Sequence, residues 1–347
     1  MTLSIYTTKN LLPTRLIIGL MMSLALIFLV SLTMGRLDIS LTDAVAMFRS
    51  AWLGTPITDD LLAKQMGFIW IRLPRCIMAV IVGMGLSVSG AVYQGLFRNP
   101  LVSPDILGVA AGCTFGAALG LILPGSDFIK VHLLSFGFGL LAVFLSVGIS
   151  RIISVKPIIV LVLSGMVVLS FFNAMLMLIK YFSDPYDELP SIIFWIMGSF
   201  TGVTWSGVWI ALPATLIGVS IFMALRFRLN ILSLGDVQAK ALGANPKAFR
   251  VIFIITSTLI VAMTVSICGQ ISWIGLIIPH MARTIAGPSH EHMLPVTALL
   301  GGIFMLAADV AARTLIASEI PVGIITALSG APVFGYLLYR NRGSGWL

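Results

Sequence analysis

Apolar residues run along this chain in ten long blocks, at about 15–34, 74–95, 102–123, 131–150, 158–181, 207–225, 250–268, 271–286, 294–313 and 321–340, separated by clusters of charged residues, Gly and Pro. The block lengths lie near the roughly 20 apolar residues that carry an α-helix across a bilayer. Unbroken runs such as "LPTRLIIGLMMSLALIFLVSLTMG" exclude the short alternating strands of a membrane β-barrel. The pattern predicts an all-α, polytopic membrane protein with about ten transmembrane helices, in one transmembrane domain over 1–347. Outside the blocks, "SLTDAVAMFRSAWLG" (40–54) predicts a short helix in an acidic segment, 35–73, and "LPSIIFWIMGSF" (189–200) an amphipathic piece before the sixth span. Segment 226–249 reads as the longest loop on its side. Its "SLGDVQAKALGA" predicts a short helix flanked by glycines, a rigid knob.

Composition narrows the class. Hydrophobic residues are 59% and charged residues 10% of the chain, with mean hydropathy +1.07, against about 25% charged in a soluble domain. The first block is too long for the apolar core of a secretory leader, and no small-residue cleavage site follows it before "GRLDIS", so a retained span is expected. An even span count puts both ends on one side, and basic residues choose that side. Thirteen of the 21 Lys and Arg fall with the termini, whereas nine of the 13 Asp and Glu fall opposite. Both termini are therefore expected in the cytosol, the chain lying in the inner (cytoplasmic) membrane. The net charge of +8 reflects that orientation. No basic groove interleaved with aromatics predicts a nucleic-acid partner.

Chemistry is sparse. Cys76, Cys113 and Cys268 stand far apart inside apolar blocks with no CxxC pair, which suits small packing residues. Gly112, Gly116 and Gly120 recur every four residues and predict a close helix approach, within the chain or to a second copy. Three of the four histidines lie in "PHMARTIAGPSHEH" (279–292), a metal site on one reading and a connection between spans on another. The chain has no HExxH, no GxSxG and no GxxxxGK[ST] phosphate loop. Its spans carry almost no ionisable group beyond Asp309, which stands four residues before Arg313 and reads as a helix-surface ion pair. Ion-coupled carriers usually need intramembrane carboxylates, so energy is expected from another subunit. A stand-alone carrier and a membrane enzyme using the histidines are the rival classes.

Four blocks carry a family resemblance over roughly 35–342. They are "RLPRCIMAVIVGMGLSVSGAVYQGLFRNPLVSPDILGVAAG" (72–112), "LGDVQAKALGANPKAFR" (234–250), "GQISWIGLIIPHMARTIAGPSHEHMLPVTALLGG" (269–302) with "ADVAAR" (308–313), and "EIPVGIITALSGAPVFGYLLYR" (319–340). Together they resemble the permease subunits of bacterial ABC importers for iron-siderophores, haem and cobalamin (FecCD/BtuC-like). The resemblance implies the type II importer permease fold and a dimer, with itself or a paralogous permease, around a central pore. It also implies two cytosolic ATPase subunits, a periplasmic or lipid-anchored binding protein, and surrounding membrane lipid. This chain then binds no cofactor of its own; ATP and Mg belong to the ATPases. A ferric siderophore is the expected cargo, with haem, cobalamin or a molybdate-type oxyanion as alternatives.

Residue roles follow by motif position. Arg72, Arg75 and Arg313 match residues that meet acidic groups on the binding protein, with anchoring or local pairing to Asp309 or Glu319 as the other reading. Leu234, Gly235, Asp236, Ala239, Leu242, Gly243 and Ala244 match the knob that enters a cleft of the ATPase. The fifth span lines the pore in this family, which makes Ser154, Ile158 and Ile159 the gate region and Met166 and Asn173 pore-lining candidates. There "SVKPIIVLVLSG" departs from the small-hydroxyl pattern of the cobalamin type. Asn99, Pro100, Pro279, His280, Arg283 and His290 match structural loop positions. The resemblance assigns no metal ligand, although "SHEH" replaces the family's acidic-His-basic pattern.

Overall fold

Residues 3–35, 40–54, 59–125, 127–153 and 157–340 are described in the computed structural model, and within them each apolar block becomes a helix. The first of these is α1, Leu3–Thr33, followed by two short helices, α2 (Leu41–Leu53) and α3 (Asp59–Gly67). The predicted helix at 40–54 is α2, with both ends capped. Ser40 Oγ accepts from the Asp43 backbone N–H while Asp43 Oδ2 accepts from the Ser40 N–H, and Gly54 closes the other end at φ 64°. The Ser40 N–H holds the Asp43 carboxyl below its ordinary pKa.

A π-turn at Phe68–Arg72 leads into α4 (Leu73–Phe97), the central helix. α5 (Val109–Ile122), α6 (Phe128–Ile153), α7 (Pro157–Phe182) and α8 (Glu188–Ile196) follow, then α9 (Trp205–Ser233) and α10 (Asp236–Ala241). The chain closes with α11 (Pro246–Cys268), α12 (Ile274–Ala286), α13 (His290–Thr314) and α14 (Val322–Arg340). Among the described residues, seven helical segments are long and apolar enough to cross a membrane, and three shorter apolar helices, α5, α12 and part of α14, bring the number to the ten expected spans.

α4 is buried almost throughout because small residues let its neighbours reach its backbone. A Cβ on Gly83 would strike the carbonyl of Gly301 in α13, and one on Gly90 the carbonyl of Gly275 in α12. The Gly112–Gly116–Gly120 stripe is used within the chain, facing Phe138, Leu134 and Val131 of α6. Cys76, Cys113 and Cys268 are free and buried.

Three boundaries differ from the sequence expectation. The third span starts at Val109, not near 102, because residues 103–108 fold through a 3-10 turn at Pro104–Leu107. There Asp105 Oδ1 accepts from the Ala110 N–H at 2.7 Å, satisfying an open donor of α5. The loop expected over 226–249 shrinks to 234–245, since α9 continues through Arg226 and Arg228. Long basic stems let a helix keep its charges at the polar end, and Arg228 lies over the Phe249 ring at 5.6 Å. Finally, "PHMARTIAGPSHEH" is no loop: Pro279, His280 and Arg283 belong to α12, and His290 begins α13 after a turn at 287–289.

Candidate functional site

At the end of the bundle opposite α10, Arg72 and Arg313 hold the end of α1, and Arg75 joins Arg313 at Asp309. Arg72 Nη1 donates to the carbonyls of Leu32 (2.9 Å) and Thr33 (3.2 Å). Arg313 donates to the Met34 carbonyl at 3.0 Å and, through Nη2, to Ser31 Oγ at 2.7 Å. Cations at a helix C-terminus satisfy its open carbonyls and complement its dipole. Arg75 bridges two acids, with Nε 2.8 Å from Asp309 Oδ1 and Nη1 2.7 Å from Glu319 Oε2. Asp309 Oδ2 lies 3.1 Å from Arg313 Nε.

This geometry corrects two expectations. The Asp309–Arg313 pair is not on a helix surface: Asp309 is 0% exposed and holds both arginines. Nor are Arg72, Arg75 and Arg313 displayed as free docking cations, since each is only 6% exposed and hydrogen-bonded at home. Glu319, whose side chain is 20% exposed, is the charged member nearest solvent. Its pairing with Arg75 is the local contact that the other reading of the arginines named.

At the α10 end the predicted knob is present and divided into two faces. Ala239 and Ala244 are buried, whereas Leu234, Leu242 and Val237 are exposed. Val237 escaped the sequence reading; it lies on α10 itself, whereas Leu234 precedes the Gly235 turn. The mount is rigid. Gly235 at φ 112° and Gly243 at φ 74° turn the chain into and out of α10, and Asp236 Oδ1 pairs with Arg250 Nη2 at 2.8 Å.

Beside the knob, His290 ties helix ends together. Asn230 Oδ1 accepts from the His290 backbone N–H (2.9 Å) and lies 2.8 Å from its Nδ1. Gln94 donates to the Leu276 carbonyl at 3.2 Å, and Thr284 to that of His280 at 3.0 Å. Asn99 Oδ1 accepts from the Leu101 N–H at 2.9 Å, holding the turn that contains Pro100. Gln94, inside the first quoted block, and Asn230, outside all of them, were given no role by the sequence reading. Among the described residues no three His, Cys, Asp or Glu side chains gather as a metal cluster.

On α7, Ile159, Met166 and Asn173 recur every seven residues and are all exposed, which makes one open stripe. Ile158 instead packs half-buried against the main core, and Ser154 lies outside the described residues.

The arrangement is thus an exposed apolar knob at one end, a charge cluster at the other and an uncovered face of α7. The chain belongs to the FecCD transport family, whose description matches residues 23–340. It is 40% identical to the molybdate import system permease protein MolB of Haemophilus influenzae, over 95% of this chain and 97% of that one. It is 39% identical to the cobalamin import system permease protein BtuC of Halobacterium salinarum (78% and 73%). To the hemin transport system permease protein HmuU of Yersinia pestis it is 36% identical (94% and 96%). A solved metal-chelate type ABC transporter in an inward-facing conformation superposes with TM-score 0.84 at 38% identity, covering 94% of this chain and 99% of that one. The protein is thus a multi-pass permease of the metal-chelate ABC importer class.

Proposed function

We propose that this chain pairs with a second copy or a paralogue through the open stripe of α7, and that the pore runs between them. Two ATPases seat on α10, and a binding protein delivers cargo at the opposite end. The observation that carries this reading is the knob itself. Three exposed apolar side chains, Leu234, Val237 and Leu242, stand on a mount fixed by Asp236–Arg250 and two left-handed glycines. A rigid apolar projection transmits a partner's movement, where a mobile loop would absorb it. The cargo we assign is a ferric siderophore, passed as an intact chelate. A molybdate-type oxyanion is the second reading, favoured by the near full-length match to the Haemophilus molybdate permease.

Reconstitution with the cognate ATPase and binding protein tests both levels. Uptake into proteoliposomes is expected to need ATP and both partners, and a panel of ferric siderophore, haem, cobalamin and molybdate identifies the cargo. Transport by the chain alone would overturn the importer reading. Val237→Asp and Leu242→Asp are expected to weaken ATPase association at least tenfold, because a buried unpaired charge at an interface costs more than about 1.4 kcal/mol. Their exposure predicts unchanged folding, and an unchanged ATPase affinity would remove α10 from the interface.

Docking at the other end draws on the cluster's balance of three arginines against Asp309 and Glu319. Glu319→Gln takes away the acid that occupies Arg75 Nη1. It is expected to tighten binding-protein association several-fold at low salt, with a steeper salt dependence. Equal affinity and equal salt slope for the two proteins would place docking elsewhere.

A further inference from the structure

The outer surface of the bundle carries two apolar grooves of nearly equal size that no described segment fills. One, about 540 Å³, lies among α1, α4, α9 and α13, and no charged residue lines it. The other, about 560 Å³, lies between α6 and α11 and has Arg151 at its rim. On α6 its lining residues Leu140, Phe144, Val147, Gly148 and Arg151 fall at helical spacing on a single face. Ile255 and Leu259 of α11 form the opposite wall, and Phe144, Ile255 and Leu259 are exposed.

Gly148 lines the groove and leaves it open, since an added Cβ there would meet nothing within 4 Å. Its length also says what fits. From Leu140 to Arg151, at a rise of roughly 1.5 Å per residue, the floor runs about 16 Å. That matches one leaflet, half of a hydrocarbon core about 30 Å thick. The charge stands at the α10 end, where Arg151 is exposed. The nearest acid of the knob, Asp236, is already paired with Arg250.

We propose that the α6–α11 groove is a binding site for an anionic phospholipid, one acyl chain lying along Phe144, Val147 and Gly148 and the phosphate pairing with Arg151. Basic positions between membrane helices at the polar boundary attract acidic headgroups in this way. The α1–α9 groove offers the same apolar volume without a cation and selects no headgroup.

The test is native mass spectrometry of the full-length chain in detergent, with added phosphatidylglycerol or phosphatidylcholine of identical acyl chains. Wild type is expected to retain phosphatidylglycerol preferentially. Arg151→Gln should lower that retention about fivefold, the effect of one basic residue near a lipid surface, and leave phosphatidylcholine unchanged. Gly148→Leu fills the groove and should lower retention of both lipids. Equal retention of the two lipids by wild type overturns the proposal, as does unchanged retention in Arg151→Gln. A Gly148→Leu protein that loses its dimer mass yet keeps its lipid overturns it too, because the groove is then a contact between copies. Both positions face open space, and thermal unfolding in detergent verifies that the variants fold.

Discussion

Asp309→Asn is expected to destabilise the protein by about 3–5 kcal/mol, the usual result of removing one partner from a buried ion pair. Asp309 is fully buried, with Arg75 Nε at 2.8 Å on one oxygen and Arg313 Nε at 3.1 Å on the other. Asparagine keeps the shape but offers no charge, so two buried guanidiniums lose their shared counter-charge. Arg75 keeps Glu319, whereas Arg313 is left with main-chain carbonyls and Ser31. The effect should spread, because Arg313 also holds the end of α1 against α13. The measurement is unfolding by heat or denaturant in detergent, with Glu319→Gln as comparison. Glu319 is partly exposed, so its loss is screened by solvent and should cost much less. An Asp309→Asn midpoint equal to wild type would mean that the cluster contributes nothing to the fold.

Gly90→Ala probes the other support of α4. A methyl group there would overlap the Gly275 carbonyl, a backbone atom that cannot rotate away. α12 would have to shift off α4, carrying the Pro104 turn that Gly275 touches on its other side. Overpacking of this kind costs about 1–3 kcal/mol and sometimes more. Gly137→Ala in α6 is the matched control: nothing lies within 4 Å of its added Cβ. That substitution should be neutral or stabilising by about 0.4–1 kcal/mol, since alanine restricts the unfolded chain. Equal melting temperatures for the two variants would refute the close crossing of α4 and α12.

How much of this could be read beforehand depends on whether the property is local. Block length and hydrophobicity gave the ten helices, since a bilayer imposes its thickness on any span. The helix read over 40–54 is α2, and its caps Ser40, Asp43 and Gly54 lie within that same stretch, because caps act within a few residues of their own helix. The motifs around "RLPR" and "LGDVQAKALGA" named the family and the two ends at which we propose that partners act. Boundaries set by packing were not legible: the Pro104 turn exists because Gly275 leaves room for it.

Direction of side chains was hidden for the same reason. Arg72, Arg75 and Arg313 have the composition of a docking patch, yet the bundle turns them onto α1, Asp309 and Glu319. Asp309 and Arg75 are 234 residues apart, beyond the reach of any local pattern. The histidines followed suit, His290 being held by Asn230 from another helix. Membrane class, helix number, caps and family are written in the sequence, because each depends on residues near one another in the chain. Which charges are neutralised inside, which apolar side chains remain uncovered on α10, and where a lipid-sized groove opens were decided by the tertiary fold. Those properties depend on neighbours that only the packing of distant helices supplies.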